Sequence, residues 1–455
     1  MTTRAVVIGG SIAGLLAARV LSEHFESVTI VDRDQPPAAP EPRKGVPQGK
    51  HGHGLLAAGS AVMDALFPGM FEEMVAGGAV KADAAEEIWW FNNGAWRAQT
   101  RSGLVGYLQS RPFLEFHIRK RVLQLPRVTE ECGCTAAGLQ FDDTRRHVIG
   151  VRVSHDQAPP EVIPADLVVD CSGRGSQLPA WLEAAGWPRP PVSRVEVNVG
   201  YSTRILRLQD GQPGWKALLI LGHPPKHSRL GVMFPVEGHW MVTLGGEFRD
   251  YPPDDEQGFA EFARSLYHPE LYEKLRAGVP VTPIVTFRFP AHVWNHYERL
   301  QLWPQGLLAM GDGVCSFNPI YGQGMTLAAL EAQVLQRCLA EQRGAGNRDG
   351  QALSHAYYKG IAAPVSAAWA MSTGADLAYP EAEGQRTRAG AWMGRYLEHV
   401  IAMTCYDPHV LKEWVFVTHM VKPISAVFHP RIAARVLRRV ISGGPPLPTD
   451  QPRRI

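Results

Sequence analysis

The run Arg4-Ala-Val-Val-Ile-Gly9-Gly10-Ser11-Ile-Ala13-Gly14 limits what this chain can fold into more than any other stretch. Ala5 to Gly9 has the length and apolar character of a buried strand. A tight glycine turn follows, and Leu15, Leu16, Val20 and Leu21 then recur at helical spacing. A second apolar strand, Val28 to Val31, closes on Asp32. This order makes a βαβ unit, whose turn aims backbone N–H groups and a helix N-terminus at a pyrophosphate. Gly9 permits the sharp turn, Gly14 lets helix and strand approach, and Asp32 can accept both hydroxyls of an adenosine ribose. Ser11 stands where a second glycine usually lies, a small residue that still offers a phosphate its hydroxyl. An ordinary buried turn without a ligand is the alternative, but strand, turn, helix and terminal acid together favour a dinucleotide. The acid at Asp32 opposes a 2′-phosphate, which leaves FAD or NAD rather than NADP.

At 455 residues the chain has room for two or three packed units. Hydrophobic residues make up 45% and charged residues 20%, a globular composition, and a net charge of +2 argues against nucleic-acid binding. Six cysteines without a CxxC pair read as reduced, mostly buried small residues of a cytoplasmic protein. The sequence opens without a charged leader and h-region, and no run reaches the roughly 18 apolar residues of a spanning helix. A soluble protein is expected.

After Asp32 a proline-rich loop, Gln35 to Pro42, leads into the polar, glycine-rich passage Arg43 to His53. Its basic residues are placed to meet phosphate, with a solvated loop as the alternative. His51 and His53 lack a third ligand motif and are not read as a metal site. Trp89, Trp90 and Trp96 belong to a strand-and-turn stretch over 77–108, as core or as an apolar substrate wall, core being the commoner outcome. Ser110 reads as the N-cap, and Pro112 as a first-turn residue, of a helix to about Leu123. Arg111 opposes the dipole at that helix start and therefore expects an anionic partner, a pyrophosphate or an ion pair.

Strands are expected near 135–141, 146–154 and 165–171, the last running into the turn Asp170 to Ser176 and a helix over 177–185. Between Arg194 and Phe248 period-two patterning with short turns predicts a mostly antiparallel sheet, the candidate substrate domain. A second glycine corner follows a buried strand, Leu307 to Met310: Gly311-Asp312-Gly313, then Asn318-Pro319-Ile-Tyr-Gly322-Gln-Gly324-Met325 and a helix to about Leu339. Asp312, at a strand end, can hold a ribityl hydroxyl, and the helix beginning near Gly322 aims its positive end beyond Pro319. From Gly350 to Ile441 the pattern is helical. The basic amphipathic segment Pro430 to Ile441 either lies on a membrane or caps the fold. An Arg face is usually just solvated, so membrane contact is not expected. The proline-rich tail, Pro445 to Ile455, reads as loose.

Together, the Gly9–Gly14 turn, Asp32, Arg43, Arg111, the Asp170–Ser176 turn and the Gly311–Gly324 run resemble the FAD-dependent monooxygenase superfamily. The Gly-Asp…Pro…Gly-x-Gly element is its most specific part and selects FAD over NAD, because FAD alone spans from the first corner to so distant an acid. Within the superfamily the chain is most similar to bacterial epoxidases of polyether pathways, through Arg43-Lys-Gly-Val-Pro-Gln48, Ser110-Arg-Pro112, Asp170-x-x-Gly173-Arg-Gly-Ser176 and Phe317-Asn-Pro-Ile-Tyr-Gly322. Ser172 replaces the acid that phenol hydroxylases carry in the middle motif, and Trp89-Trp90-Phe91 does not match the Trp-x-Trp-x-Ile element of halogenases.

The resemblance implies an α/β fold: a Rossmann-type FAD-binding domain over 1–75, 109–185 and 296–345, a mostly antiparallel substrate domain over 76–108 and 186–295, and C-terminal helices over 346–455. It implies cofactor contacts from Gly9, Ser11, Ala13, Gly14, Asp32, Arg33 and Arg111 at the first corner, and from Gly311, Asp312, Pro319, Gly322, Gly324 and Met325 at the second. Arg43 and Gln48 are expected near the isoalloxazine. The implied reaction is transfer of one oxygen from O2, through a C4a-hydroperoxyflavin, to a large apolar metabolite, first of all alkene epoxidation in secondary metabolism. Hydroxylation or Baeyer–Villiger oxidation of a polycyclic aromatic, FAD-dependent reduction of isoprenoid double bonds, and a non-catalytic flavin scaffold are the alternatives. No catalytic side chain is assigned. With no second glycine fingerprint, NADH or NADPH acts as a transient reductant, or a separate flavin reductase supplies reduced flavin.

Overall fold

A computed structural model describes residues 3–155, 159–209, 213–344 and 350–455; residues 1–2 and 346–349, which open the expected first and last regions, lie outside it. The N-terminal unit forms as read: a strand β1 (Arg4–Ile8), a helix α1 (Ile12–Leu21) and a strand β2 (Ser27–Asp32). These strands lie in a five-stranded parallel sheet ordered Leu307–Ala309, Leu167–Asp170, β1, β2, Val128–Cys132. Its strands are short apolar runs because both faces are covered: Val7, Val168, Ile30 and Leu308 are at most 1% exposed. The long helix Gln323–Gly344 packs on α1 and on the 27-residue helix Gly350–Asp376. The strand Val128–Cys132 has no apolar run to mark it in the sequence, its interior being Thr-Glu-Glu.

The second layer is a nine-stranded, mostly antiparallel sheet spanning Ile88 to Ser316, with Ala217–Ile220 and Ile88–Asn92 as a parallel pair. Its outer face, with Leu218, Met233, Val242 and Leu244, packs beneath two helices, Glu256–Arg264 and Glu270–Ala277. The opposite face carries Val232, Phe234, Met241, Tyr201 and Phe289, and Ile320 of the second glycine corner packs against it. Trp96 belongs to the outer core and is fully buried, whereas Trp89 and Trp90 are half-buried.

Helices Arg388–Met403, Pro408–Thr418 and Pro430–Ser442 form a satellite core around Val400, Met403, Val410 and Ile432. The tail corrects the loose reading of 445–455. Trp96 and Gln99 donate backbone N–H groups to the Pro448 and Arg453 carbonyls at 2.8 and 2.7 Å, and Ile455 donates to Gln99 at 2.9 Å. Backbone groups beside Ala95–Trp96 need partners, and the tail supplies them. Among the described residues no helix is long and apolar enough to cross a membrane. All six cysteines are free thiols, and all but Cys132 are buried.

Candidate active site

The first corner is built on glycine. Gly9 has φ +96°, and a Cβ there would stand 2.6 Å from the Cys171 carbonyl oxygen; a Cβ on Gly14 would stand 1.8 Å from the Gly9 oxygen. Only glycine allows strand, turn and helix to close this tightly. Ser11 precedes α1 without capping it, and no acid lies in the first turn, which leaves the helix N-terminus open to an anion. The Ser11 hydroxyl instead donates to Glu115 Oε2 (3.1 Å) and accepts from Arg111 Nη2 (2.7 Å).

Asp32 is 5% exposed and accepts from the Gly10 N–H at 2.7 Å and from Arg43 Nη1 at 3.0 Å. Arg43 also donates to Asp34 (3.2 Å) and, through Nε, to Glu115 (2.8 Å). Arg111 donates to Glu115 at 2.9 Å, one helical turn away on the helix Arg111–Leu123, where Ser110 accepts from the Phe113 N–H as an N-cap. Burial pushes the Glu115 carboxyl up, but Arg111, Arg43 and Arg119 outweigh it and hold it below the usual range. Burial opposes the charge on Arg43, while Glu115 and Asp32 raise its pKa. Beside this network lies a cavity of about 30 Å³ touching Val46, Gly49 and Phe116.

The Arg43 guanidinium lies among three carboxylates, those of Asp32, Asp34 and Glu115. Arg33 points at the Gly45 carbonyl (3.4 Å), and Gln48 is half-buried on the short turn Pro47–Lys50. Neither joins the Asp32 network.

The second corner lies against the first. Gly311 has φ +74°, and a Cβ on it would stand 2.9 Å from the Ala13 Cβ. Its N–H donates to Glu331 Oε2 at 2.6 Å; burial and the nearby Asp312 push Glu331 up to about 8. Burial also raises Asp312, with Arg111 and Arg174 pulling it back, so charges from the first corner and from the Asp170–Ser176 turn act on one carboxyl. A Cβ on Gly324 would lie 3.5 Å from Asp312 Oδ1, which sets this acid beside the start of the Gln323–Gly344 helix. Pro319 opens a single turn that ends at Gly322 in the left-handed region (φ +63°), where a Cβ would stand 3.2 Å from the Gly54 oxygen; Met325 is buried behind it.

That turn is anchored by groups with no local signature. Asn318 donates its N–H to His292 Nδ1 at 3.3 Å, and its side-chain oxygen accepts from the Tyr201 hydroxyl. His292 Nε2 meets Asp376 at 2.6 Å with both side chains fully buried, and the Tyr321 hydroxyl donates to the same acid. Glu115, Glu331, His292 and Asp376 were absent from the sequence reading. Only Glu115 had a signal, its i,i+4 spacing from Arg111.

No family model matches the chain. Protein Rv3254 of Mycobacterium tuberculosis (strain ATCC 25618 / H37Rv) is 33% identical over 420 residues, 90% of this chain and 88% of that protein. Many solved structures share the fold. A flavoprotein/dehydrogenase from Cytophaga hutchinsonii has a TM-score of 0.69 at 14% identity, covering 97% of this chain and 100% of that one. The flavin-dependent brominase Bmp2 gives 0.66 at 14% identity, covering 97% and 99%. The p-nitrophenol 4-monooxygenase PnpA from Pseudomonas putida DLL-E4 gives 0.64 at 15%, covering 93% and 100%. The chain therefore belongs to the family of the mycobacterial protein Rv3254 and shares its fold with a flavin-dependent brominase and a p-nitrophenol 4-monooxygenase.

Proposed function

We propose that the protein is an FAD-dependent monooxygenase that places one oxygen atom from O2 into a large apolar metabolite, with alkene epoxidation in secondary metabolism as its reaction. The observation that carries this reading is the contact of Gly311 with Ala13. It brings two glycine corners together at the carboxyl ends of the parallel strands, while Ile320 of the second corner faces the apolar side of the nine-stranded sheet. The interrupted division into FAD-binding and substrate domains belongs to the same proposal. Fold-mates named as a flavin-dependent brominase and a p-nitrophenol monooxygenase support it.

The residues fit the cofactor on two counts. Both corners have backbone that a single Cβ would block, and α1 presents an uncapped N-terminus beside Arg43 and Arg111. When bound, FAD supplies electron transfer and O2 activation, the chemistry no side chain provides. On our reading Arg43 and Arg111 exchange carboxylates for phosphate oxygens, since Arg forks bind either. Asp32 would then be free to accept from ribose hydroxyls, and Asp312 would hold the ribityl chain. The positive end of the Gln323–Gly344 helix favours negative charge by about 0.3–1 kcal/mol. Val232, Phe234 and Met241 contribute an apolar wall that keeps water from the reacting end.

The test is to incubate purified protein with FAD, then assay oxygen uptake on a polyene with NADH or NADPH, with and without a separate flavin reductase. Gain of one oxygen with loss of one alkene is the expected product. Gain of oxygen with every alkene retained assigns hydroxylation, alkene loss without oxygen uptake assigns a reductase, and protein that stays colourless ends the proposal.

A further inference from the structure

The terminal helix Pro430–Ser442 presents three different surfaces around its circumference. Ile432 and Val436, one turn apart, are 1% and 4% exposed and pack into the satellite core. A second apolar stripe faces outward: Leu437, Val440 and Ile441 are 60%, 54% and 78% exposed. Arg431, Arg435 and Arg438, at i, i+4 and i+7, make a third stripe, exposed along its length. Arg435 reaches Asp407 at 2.5 Å, and Arg439 donates to the Tyr406 hydroxyl at 2.9 Å, so the helix is fastened to the fold by its own basic residues.

On sequence alone the apolar residues of this helix could all have faced the core, leaving a merely solvated Arg face. The structure divides them, with one stripe inward and one outward. An outward apolar stripe beside a basic one has the make-up of a helix lying in a membrane interface, with side chains among the acyl chains and guanidinium groups at phosphate level. The charge pattern argues against a second copy of the chain, because a two-fold interface on this face would bring one arginine stripe towards its equivalent.

We propose that the helix Pro430–Ser442 docks the protein on an anionic lipid surface through Leu437, Val440 and Ile441, with Arg431 and Arg438 contacting lipid phosphates. None of these residues touches the glycine corners, so the proposal stands apart from the reaction assigned above.

Vesicle flotation of the full chain tests it, with phosphatidylcholine alone and with one quarter phosphatidylglycerol, at low and high salt. The expected result is binding stronger by roughly tenfold on the anionic vesicles and weakened by salt. Leu437→Gln with Ile441→Gln should lose binding on both vesicle types, and Arg431→Gln with Arg438→Gln should lose only the preference for anionic lipid. Circular dichroism checks that both variants remain folded. Wild-type protein that ignores both vesicle types overturns the proposal. So does a concentration-dependent dimer in sedimentation velocity that the Leu437→Gln, Ile441→Gln variant abolishes.

Discussion

Gly311 rests against Ala13 so closely that a Cβ on the glycine would stand 2.9 Å from the alanine Cβ. Most of the chain separates the two residues. The sheet order brings them together, since the strand Leu167–Asp170 pairs with β1 on one side and with Leu307–Ala309 on the other. The corner after the last strand thereby faces the corner after the first, the arrangement on which an extended dinucleotide reading depends.

Gly311→Ala should therefore damage both fold and cofactor site. The positive φ and the Ala13 contact each oppose a side chain, and strain of this kind costs about 1–3 kcal/mol. The expected outcome is a lower thermal midpoint together with less retained flavin absorbance per protein. Unchanged values of both would contradict the packing described.

Asp312→Ala should weaken FAD while leaving the fold largely intact, because Asp312 is half-buried on the turn Gly311–Gly313. Loss of a hydrogen bond to a charged acceptor costs about 1.5–3 kcal/mol, roughly a tenfold to hundredfold rise in Kd. Fluorescence titration of apoprotein with FAD measures it, and full retention of the yellow chromophore would sink the placement of the ribityl chain.

Arg43→Met removes the cation shared by Asp32, Asp34 and Glu115, whose side chains are 6%, 11% and 8% exposed. Stranding buried carboxylates costs about 3–5 kcal/mol. Urea unfolding should show a fall of that size, with part of it recovered by the additional change Asp34→Asn, because Asp34 loses its ion-pair partner while Glu115 keeps Arg111. If the double variant is no more stable than the single one, the network is not the cause.

Glu331 offers a pH signature. Its folded pKa, about 8, lies above the ordinary value of 4.5, so between these values the native state holds a proton that the unfolded state has released. Its contribution to stability is therefore complete below pH 4.5 and lost as pH rises through 8. Glu331→Gln keeps an acceptor for the Gly311 N–H and removes the titration. Thermal melts across this range should show the variant gaining on the wild type as pH rises. A constant difference would place the Glu331 carboxyl in an ordinary environment.

The features that could be read from the chain alone are local ones. Apolar runs of strand length, the Gly9–Gly14 turn, the Ser110 cap and the helical period after Gly350 are each set by neighbours within a few residues. Steric limits on φ and the 3.6-residue and two-residue periods act at that range. The two glycine corners were legible for the same reason, because a positive φ admits little but glycine. What the tertiary structure alone decided is which distant groups meet. Arg43 turns to Asp32 and Glu115, the tail pairs with Trp96 and Gln99, His292 meets Asp376, and Leu437 and Ile441 stay outside while Ile432 goes in. Such partners leave no period in the sequence. Burial selects them by demanding that every enclosed charge or backbone group find a complement, and the folded chain alone determines which complement lies within reach.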